Sequence, residues 1–324
     1  MAAPTNTYSR HTAPTATRED LQNMIYNISP METYFMNNIG RGSAKSTLHE
    51  WQIDALAAAS TANAAIEGDD FSAQAVVDTT RLKNYTQIVR KEIVVSGTHE
   101  EVDNAGMASM MAYQTAKKGK ELKRDIEIIA LHNKGATAGA EASARTMAGV
   151  ENWIYSTQHI KATGQTTPTT TAPVSGIANN SPNDGSSATA LVVADLSTAL
   201  QVAWVNGGET DVVLVGPTLK AKIGTFTGIA TRFRNVAENS QATVVNAVDV
   251  FVSDFGNHKI VLSRYVRSTS VLCLDMSLWS LNYLRPMQTK TIAATGDATK
   301  KMLLAEVTLC AKNPLGNTKL TNVT

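Results

Sequence analysis

The chain has 324 residues, 43% hydrophobic and 18% charged, enough to bury a substantial core and to build two compact lobes. Its formal net charge of +1 gives no global electrostatic case for nucleic acid or an anionic membrane, and leaves only local patches to consider. No run of about 20 apolar residues and no signal-like leader occurs, which predicts a soluble chain outside the secretory route.

Residues 1–17 are rich in Thr, Ala and Pro without an acidic residue, and such an arm cannot order itself by burial. Thr17 is placed to cap a helix with Leu21, Met24, Ile25 and Ile28 on one face. Ser29, Pro30 and Glu32 then restart the pattern ahead of Phe35, Met36 and Ile39. In residues 46–54, Thr47, His49, Trp51 and Ile53 alternate with polar residues as in a half-exposed strand. Residues 81–95 form a second long candidate, with Tyr85, Val89, Ile93 and Val95 on one face. The intervening ALAAASTANAAIEGDDFSAQAVVDTT holds almost no large side chain, and an isolated two-stranded ribbon is marginal in water. This arm is therefore expected to lie on something else, either another part of the chain or another subunit.

Residues 105–133 lack proline and place Met107, Met110, Met111, Leu122, Ile126 and Ile129 at helical spacing. They predict one amphipathic helix of roughly 40 Å that serves as a spine for other segments. Lys117–Glu121 and Lys123–Glu127 are i, i+4 pairs, and Lys117, Lys120 and Arg124 share another face. Gly119 costs about 1 kcal/mol mid-helix, which points to a packed neighbour or a bend. A second helix is expected around Met147, Val150 and Ile154. Residues 161–187, dominated by Thr, Pro, Ser, Asn and Gly, read as a linker or surface excursion.

Residues 195–206 predict a helix with Leu196, Ala199, Leu200, Ala203 and Trp204 on its face, closed by Gly207-Gly208. Residues 211–215 read as a buried strand, and Pro217 opens a helix with Leu219, Ile223 and Phe226 inward. A hairpin follows, out through Val248, Val250 and Val252 and back through Ile260 and Leu262. Strands at 270–275, 279–284 and 302–312 complete an α+β chain without internal repeats. Cys273 and Cys310 lie in these apolar runs without CxxC spacing, which predicts buried, reduced thiols in a protein made in the cytosol.

No catalytic constellation is legible. Residues 40–47 (GRGSAKST) imitate a phosphate loop, but Ala44 stands where the motif needs glycine before Lys45, and the flanking elements are in the wrong order. A turn into the hairpin is expected there. Glu67, Asp69 and Asp70 lack the further ligands of a calcium loop, and the six histidines show no zinc spacing. No nucleophile elbow occurs, so neither an enzyme nor a cofactor is expected. Lys117, Lys120 and Arg124 are a candidate stripe for phosphate contact, weighed against an ordinary solvated helix face.

Several short motifs follow one another along residues 18–320. They are Ile28-Ser29-Pro30-Met31-Glu32-Thr33, His49-Glu50-Trp51-Gln52-Ile53-Asp54, Trp204-Val205-Asn206-Gly207-Gly208, Asp254-Phe255-Gly256, Leu284-Arg285-Pro286 and Gly296-Asp297. Glu306, Thr308-Leu309 and Lys312-Asn313 close the series. In this order the chain resembles the major capsid proteins of tailed bacteriophages with the Hong Kong 97-type fold, in a podovirus-associated branch. The resemblance implies an arm with short helices (1–44), an extended loop over an adjacent subunit (45–96), a peripheral domain with the spine helix (97–187), an axial domain (188–270) and return strands (271–324). It implies self-assembly into hexamers and pentamers, forming an icosahedral shell around packaged double-stranded DNA, with assembly in the host cytoplasm. A separate scaffolding protein, a portal and decoration proteins are the expected helpers, with no membrane partner, and no Lys–Asn cross-link pair is carried over. His49, Trp51, Ile53, Tyr85 and Val89 are the expected inter-subunit contacts, and the Lys117, Lys120 and Arg124 stripe is the expected DNA-facing surface. The alternatives are a virion decoration or adhesive protein and a cryptic hydrolase.

Overall fold

The computed structural model describes residues 32–68, 70, 76, 78–102, 106–185, 188–226 and 249–324. In chain order they form α1 (Tyr34–Asn38), β1 (Gly40–Ser43), β2 (Leu48–Ile53), β3 (Thr80–Tyr85), β4 (Gln87–Ser96), α2 (Gly97–Glu101), α3 (Met110–Leu131) and α4 (Val150–Trp153). Then come β5 (His159–Ile160), α5 (Val193–Val205), β6 (Val212–Val215), α6 (Pro217–Gly224), β7 (Val250–Ser253), β8 (Gly256–Leu262), β9 (Val271–Leu274), β10 (Trp279–Ile292), β11 (Ala298–Ala311) and β12 (Thr318–Leu320).

The predicted spine is α3, whose 22 residues run about 33 Å. Ser109 caps it, accepting from the Ala112 amide at 3.2 Å. Its buried stripe of Met111, Leu122, Ile126 and Ala130 belongs to the same core as Val89, Ile93 and Val95 of β4. β4 is an edge of a four-stranded sheet ordered β1-β10-β11-β4. Two of the expected i, i+4 pairs are replaced. Glu121 pairs with Lys118 at 2.8 Å, and Glu127 turns inward to accept the Phe35 and Met36 amides, each at 2.8 Å. That buried carboxylate meets the free N–H groups at the start of α1, work that Thr33 at the N-cap does not do. The helix expected from Thr17 lies outside the described residues; the one expected from Ser29 appears as α1, which starts later, with Thr33 as N-cap and Glu32 before the helix, and Phe35, Met36 and Ile39 are buried as expected.

A second sheet has six strands in the order β5-β12-β9-β6-β8-β7. Its central strands read VVLV and VLCL because both faces are covered. Val212, Leu214, Leu272 and Leu274 face the core of α3, while Val213, Val215, Val271 and Cys273 face a second core with Leu196, Leu200, Leu219 and Ile223. Both cysteines are free and buried.

Five local expectations change. The residues expected to turn after Gly40 instead form β1, which pairs in parallel with β10. The single strand expected at 81–95 breaks at Thr86, so β3 pairs with β2 and β4 joins the large sheet. Residues 161–187 are no linker: among those described, Ala162, Gln165, Thr170 and Ala178 are buried, because this irregular segment packs against the body. Trp204 is 59% exposed, off the buried face of α5. In the 250–262 hairpin Val250 and Val252 face outward, Phe251 packs on the second core, and Val248 lies outside the described residues.

Candidate assembly surfaces

The arm expected to need a support has two parts. Its base is the β2–β3 hairpin, with His49 opposite Asn84, Trp51 opposite Leu82 and Ile53 opposite Thr80. That face is seated on its own chain. The Trp51 indole donates to the Ala311 carbonyl at 2.8 Å, and its ring lies 5.3 Å from that of Trp153. Asn84, fully buried, donates to the Leu309 carbonyl at 2.7 Å and accepts from the Ala148 amide at 2.9 Å. The Asn282 amide group lies 2.7 Å from His49 Nε2, and burial lowers the pKa of this imidazole, in keeping with a neutral ring that accepts there. On the hairpin's other side the Lys83 amide donates to the Gly176 carbonyl at 2.8 Å. Gly176 has φ +82°, and a Cβ there would run into the Arg81 carbonyl, so glycine is needed twice over.

Trp51 and Ile53 are thus half-buried against the main core. Tyr85, paired with Leu48 on the hairpin's opposite face, also touches it, and Val89 is buried beneath α3. All five residues expected at an inter-subunit contact lie on their own chain in this subunit. Sequence reasoning missed Asn84, Asn282 and Gly176, which hold the base, because their partners are distant in the chain.

Where β3 gives way to β4, one carboxylate ties three segments together. Glu306 accepts from Thr86 Oγ1 at 2.7 Å, Arg145 at 2.8 Å and Arg285 Nε at 2.7 Å. Burial pushes its pKa up, but these hydrogen bonds and charges outweigh burial and hold it below the usual carboxylate range. Irregular register in β10 on either side of Arg285 aims this side chain at Glu306.

The arm's second part, beyond Ile53, is different. Residues 54–68 form no strand or helix and are exposed throughout. Leu56 is 100% exposed, Ile66 79% and Val76 97%. Across the subunit, α3 presents Lys117 and Lys120 exposed and Arg124 half-buried, while its acidic residues are engaged elsewhere: Glu121 with Lys118, Asp125 with Lys91, and Glu127 with α1.

A partly buried ionic cluster links α4, the 161–185 segment and β12. Arg267 bridges Glu151 and Asp184, and Lys319 donates to the Glu151 carbonyl and, at 2.9 Å, to Thr170. Burial pulls the Lys319 pKa down to about 7 and that of the neighbouring His159 to about 3. Among the described residues no group of three or more His, Cys, Asp or Glu side chains is arranged to hold a metal, and no helix is long and apolar enough to cross a membrane.

The fold of the whole chain is matched among solved capsid proteins. The chain is similar to a protein of the capsid asymmetric unit of cyanophage A-1(L), with a TM-score of 0.66 and 12% identity over 97% of this chain and 99% of that one. It is similar to a chain of the capsid of a native GTA particle, with a TM-score of 0.62 and 9% identity over 98% and 99%. The fold is therefore the Hong Kong 97-type fold of phage capsid proteins. In sequence, the chain is 26% identical over 321 residues to the major capsid protein of Escherichia phage Phieco32, covering 90% of each. Residues 3–324 match the SU10 major capsid protein family, and the chain belongs to that family: it is a structural capsid subunit of a phage virion, not an enzyme.

Proposed function

We propose that this subunit closes its shell by laying residues 54–79 over a sister chain, within hexamers and pentamers that tile an icosahedron around double-stranded DNA. The observation that carries this reading is the exposure of Leu56, Ile66 and Val76, three large aliphatic side chains among the described residues of that segment. A projecting loop of this kind stabilises only the assembled state, through burial that depends on subunit concentration. The seated base supports the same reading, since Trp51, Asn84 and Gly176 fix the direction in which the loop leaves the body.

The same proposal divides the chain into the arm (1–44), extended loop (45–96), peripheral domain (97–187), axial domain (188–270) and return strands (271–324). The two cores, one under α3 and one under α5, favour that division. Assembly in the host cytoplasm, with a separate scaffolding protein, a portal and decoration proteins as helpers, belongs to the proposal as well. Deletion of residues 55–70 tests it. The expected product is a folded subunit with native circular dichroism that forms no shells; normal particles would overturn the role of the loop.

A further inference from the structure

One buried histidine is held between two hydroxyls. His159 of β5 has Nδ1 2.8 Å from Thr170 Oγ1 and Nε2 2.6 Å from Thr321 Oγ1. Its neighbours fix where the ring hydrogen sits. Lys319 Nζ, which can only donate, donates to Thr170 Oγ1 at 2.9 Å, so that hydroxyl accepts there and gives its own hydrogen to His159 Nδ1. Nε2 therefore carries the ring hydrogen and donates to Thr321, whose hydroxyl donates in turn to the Asp184 carboxylate. Arg267 ends the row, holding Asp184 at 2.6 Å together with Glu151 of α4. From ammonium to carboxylate every hydrogen bond points the same way, and that order requires a neutral imidazole. Lys319, Thr170, His159 and Thr321 are all buried, so water cannot relieve a mismatch.

We propose that this row is an acid-released latch, in which a proton on His159 Nδ1 reverses one link and lets residues 161–185 lift from β5 and β12. Protonated Nδ1 points a hydrogen at Thr170, which already accepts from Lys319, and the Thr170 hydrogen loses its acceptor. The same proton sets an imidazolium beside the Lys319 ammonium. Among the charges facing the ring, Lys319 on β12 and Arg267 ahead of β9 oppose the proton and Asp184 favours it, while Glu151 is engaged by Arg267. Burial first, and then the Lys319 charge, pulls the His159 pKa down to about 3, against about 6.5 once the segment opens. The opened state binds the extra proton between those values, so opening is favoured as pH falls through that window. His132 at the end of α3 also faces Glu151 and Arg267, but its buried Nδ1 has no hydrogen bond to lose.

Hydrogen exchange read by mass spectrometry on the full chain, corrected for the intrinsic pH dependence of amide exchange, tests the latch. Between pH 7 and pH 5 the opening of residues 161–185 should rise about twentyfold, the effect of one proton taken up near 6.5, while β6 and β9 keep their protection. His159→Gln keeps a neutral hydrogen-bonding group and should hold opening at pH 5 within about threefold of its pH 7 value. His132→Gln should respond as the parent does. An unchanged response in His159→Gln would pass the effect to the carboxylates and overturn the latch. Loss of protection in β6 and β9 over the same range would mean general unfolding and overturn it as well. If His159→Gln does not fold, the histidine NMR signals of the parent decide. A His159 ring still neutral in the folded subunit at pH 5 upholds the latch, and one that titrates near 6.5 overturns it.

Discussion

Glu306 shows how one side chain joins the loop to the body. Its carboxylate is 4% exposed, but Arg145 and Arg285 are 31% and 38% exposed, so water screens part of each attraction. Glu306→Gln is therefore expected to cost about 2 kcal/mol, below the range for fully buried pairs. Its pKa in the folded chain is depressed, so its contribution is present above the unfolded carboxylate value of about 4.3 and fades as pH falls through the folded value. Urea melts of the free subunit from pH 6 to pH 3 should show an acid loss of stability that is shallower in the Gln variant. Lys319 has the opposite pH window. Burial lowers its pKa to about 7 against about 10.4 in the unfolded chain, so above pH 7 the unfolded chain binds more protons and stability rises with pH. Burial raises the thiols of Cys273 and Cys310 to about 12 and 11, which reverses the trend once unfolded thiols ionise near 8.5. Stability measured between pH 7 and pH 8.5 should thus climb in the parent, levelling off near 8.5, and fall in Lys319→Met as the unfolded thiols ionise; a climb of equal slope in both would remove Lys319 as the cause. Glu306 stands out in the sequence only as a motif residue and Lys319 not at all, and the partners of both, Thr86 and Arg145 for the one and Glu151 for the other, are brought to them by the tertiary fold.

Among the elements, those with local causes were legible. α3 was, because its apolar residues repeat at helical spacing, although Ser109 caps it and so starts it at Met110, later than the expected 105 and beyond Met107. β6 and β9 were, because short unbroken apolar runs bounded by polar residues suit strands covered on both faces. The 14-residue strands β10 and β11 were seen only in part, because their distal halves are polar and exposed and Pro286 interrupts the pattern. The break at Thr86 was hidden for a different reason: alternation continues through it in sequence, while the chain changes sheets to meet Glu306. Gly119 makes a sharper point. The closest atom to a Cβ built there is Leu303 Cδ2 at 3.6 Å, an ordinary contact, so packing does not demand glycine. Gly119→Ala is expected to stabilise the subunit by about 0.5–1 kcal/mol in a denaturation midpoint, the helix-propensity gain alone. Gly176→Ala should act in the other direction, by about 2 kcal/mol or more, because its backbone has φ +82° and the Arg81 carbonyl occupies the space of the methyl.

For the whole molecule, the need of the arm for a support was legible from side-chain size, and so was its split into alternating strands and an Ala-rich tip, but not which part its own chain would hold. The fold anchors residues 48–53 through Trp51 and Asn84 and leaves residues 54–68 exposed. This division sets a different stability for each part, and a protease can read it. Residues 54–79 contain no Lys or Arg, so trypsin has no target within them, but their alanines and valines suit an elastase. Cleavage needs a segment that fits an extended active site, which an exposed segment without strand or helix does and a paired hairpin does not. Elastase should therefore nick free subunits between residues 54 and 79 into two fragments that stay associated, because the β2–β3 ladder and the large sheet still join them. In assembled shells the same bonds should be cut at least tenfold more slowly. Equal rates in both states would mean that no neighbour covers the loop, and the account of how this subunit holds its shell together would fail.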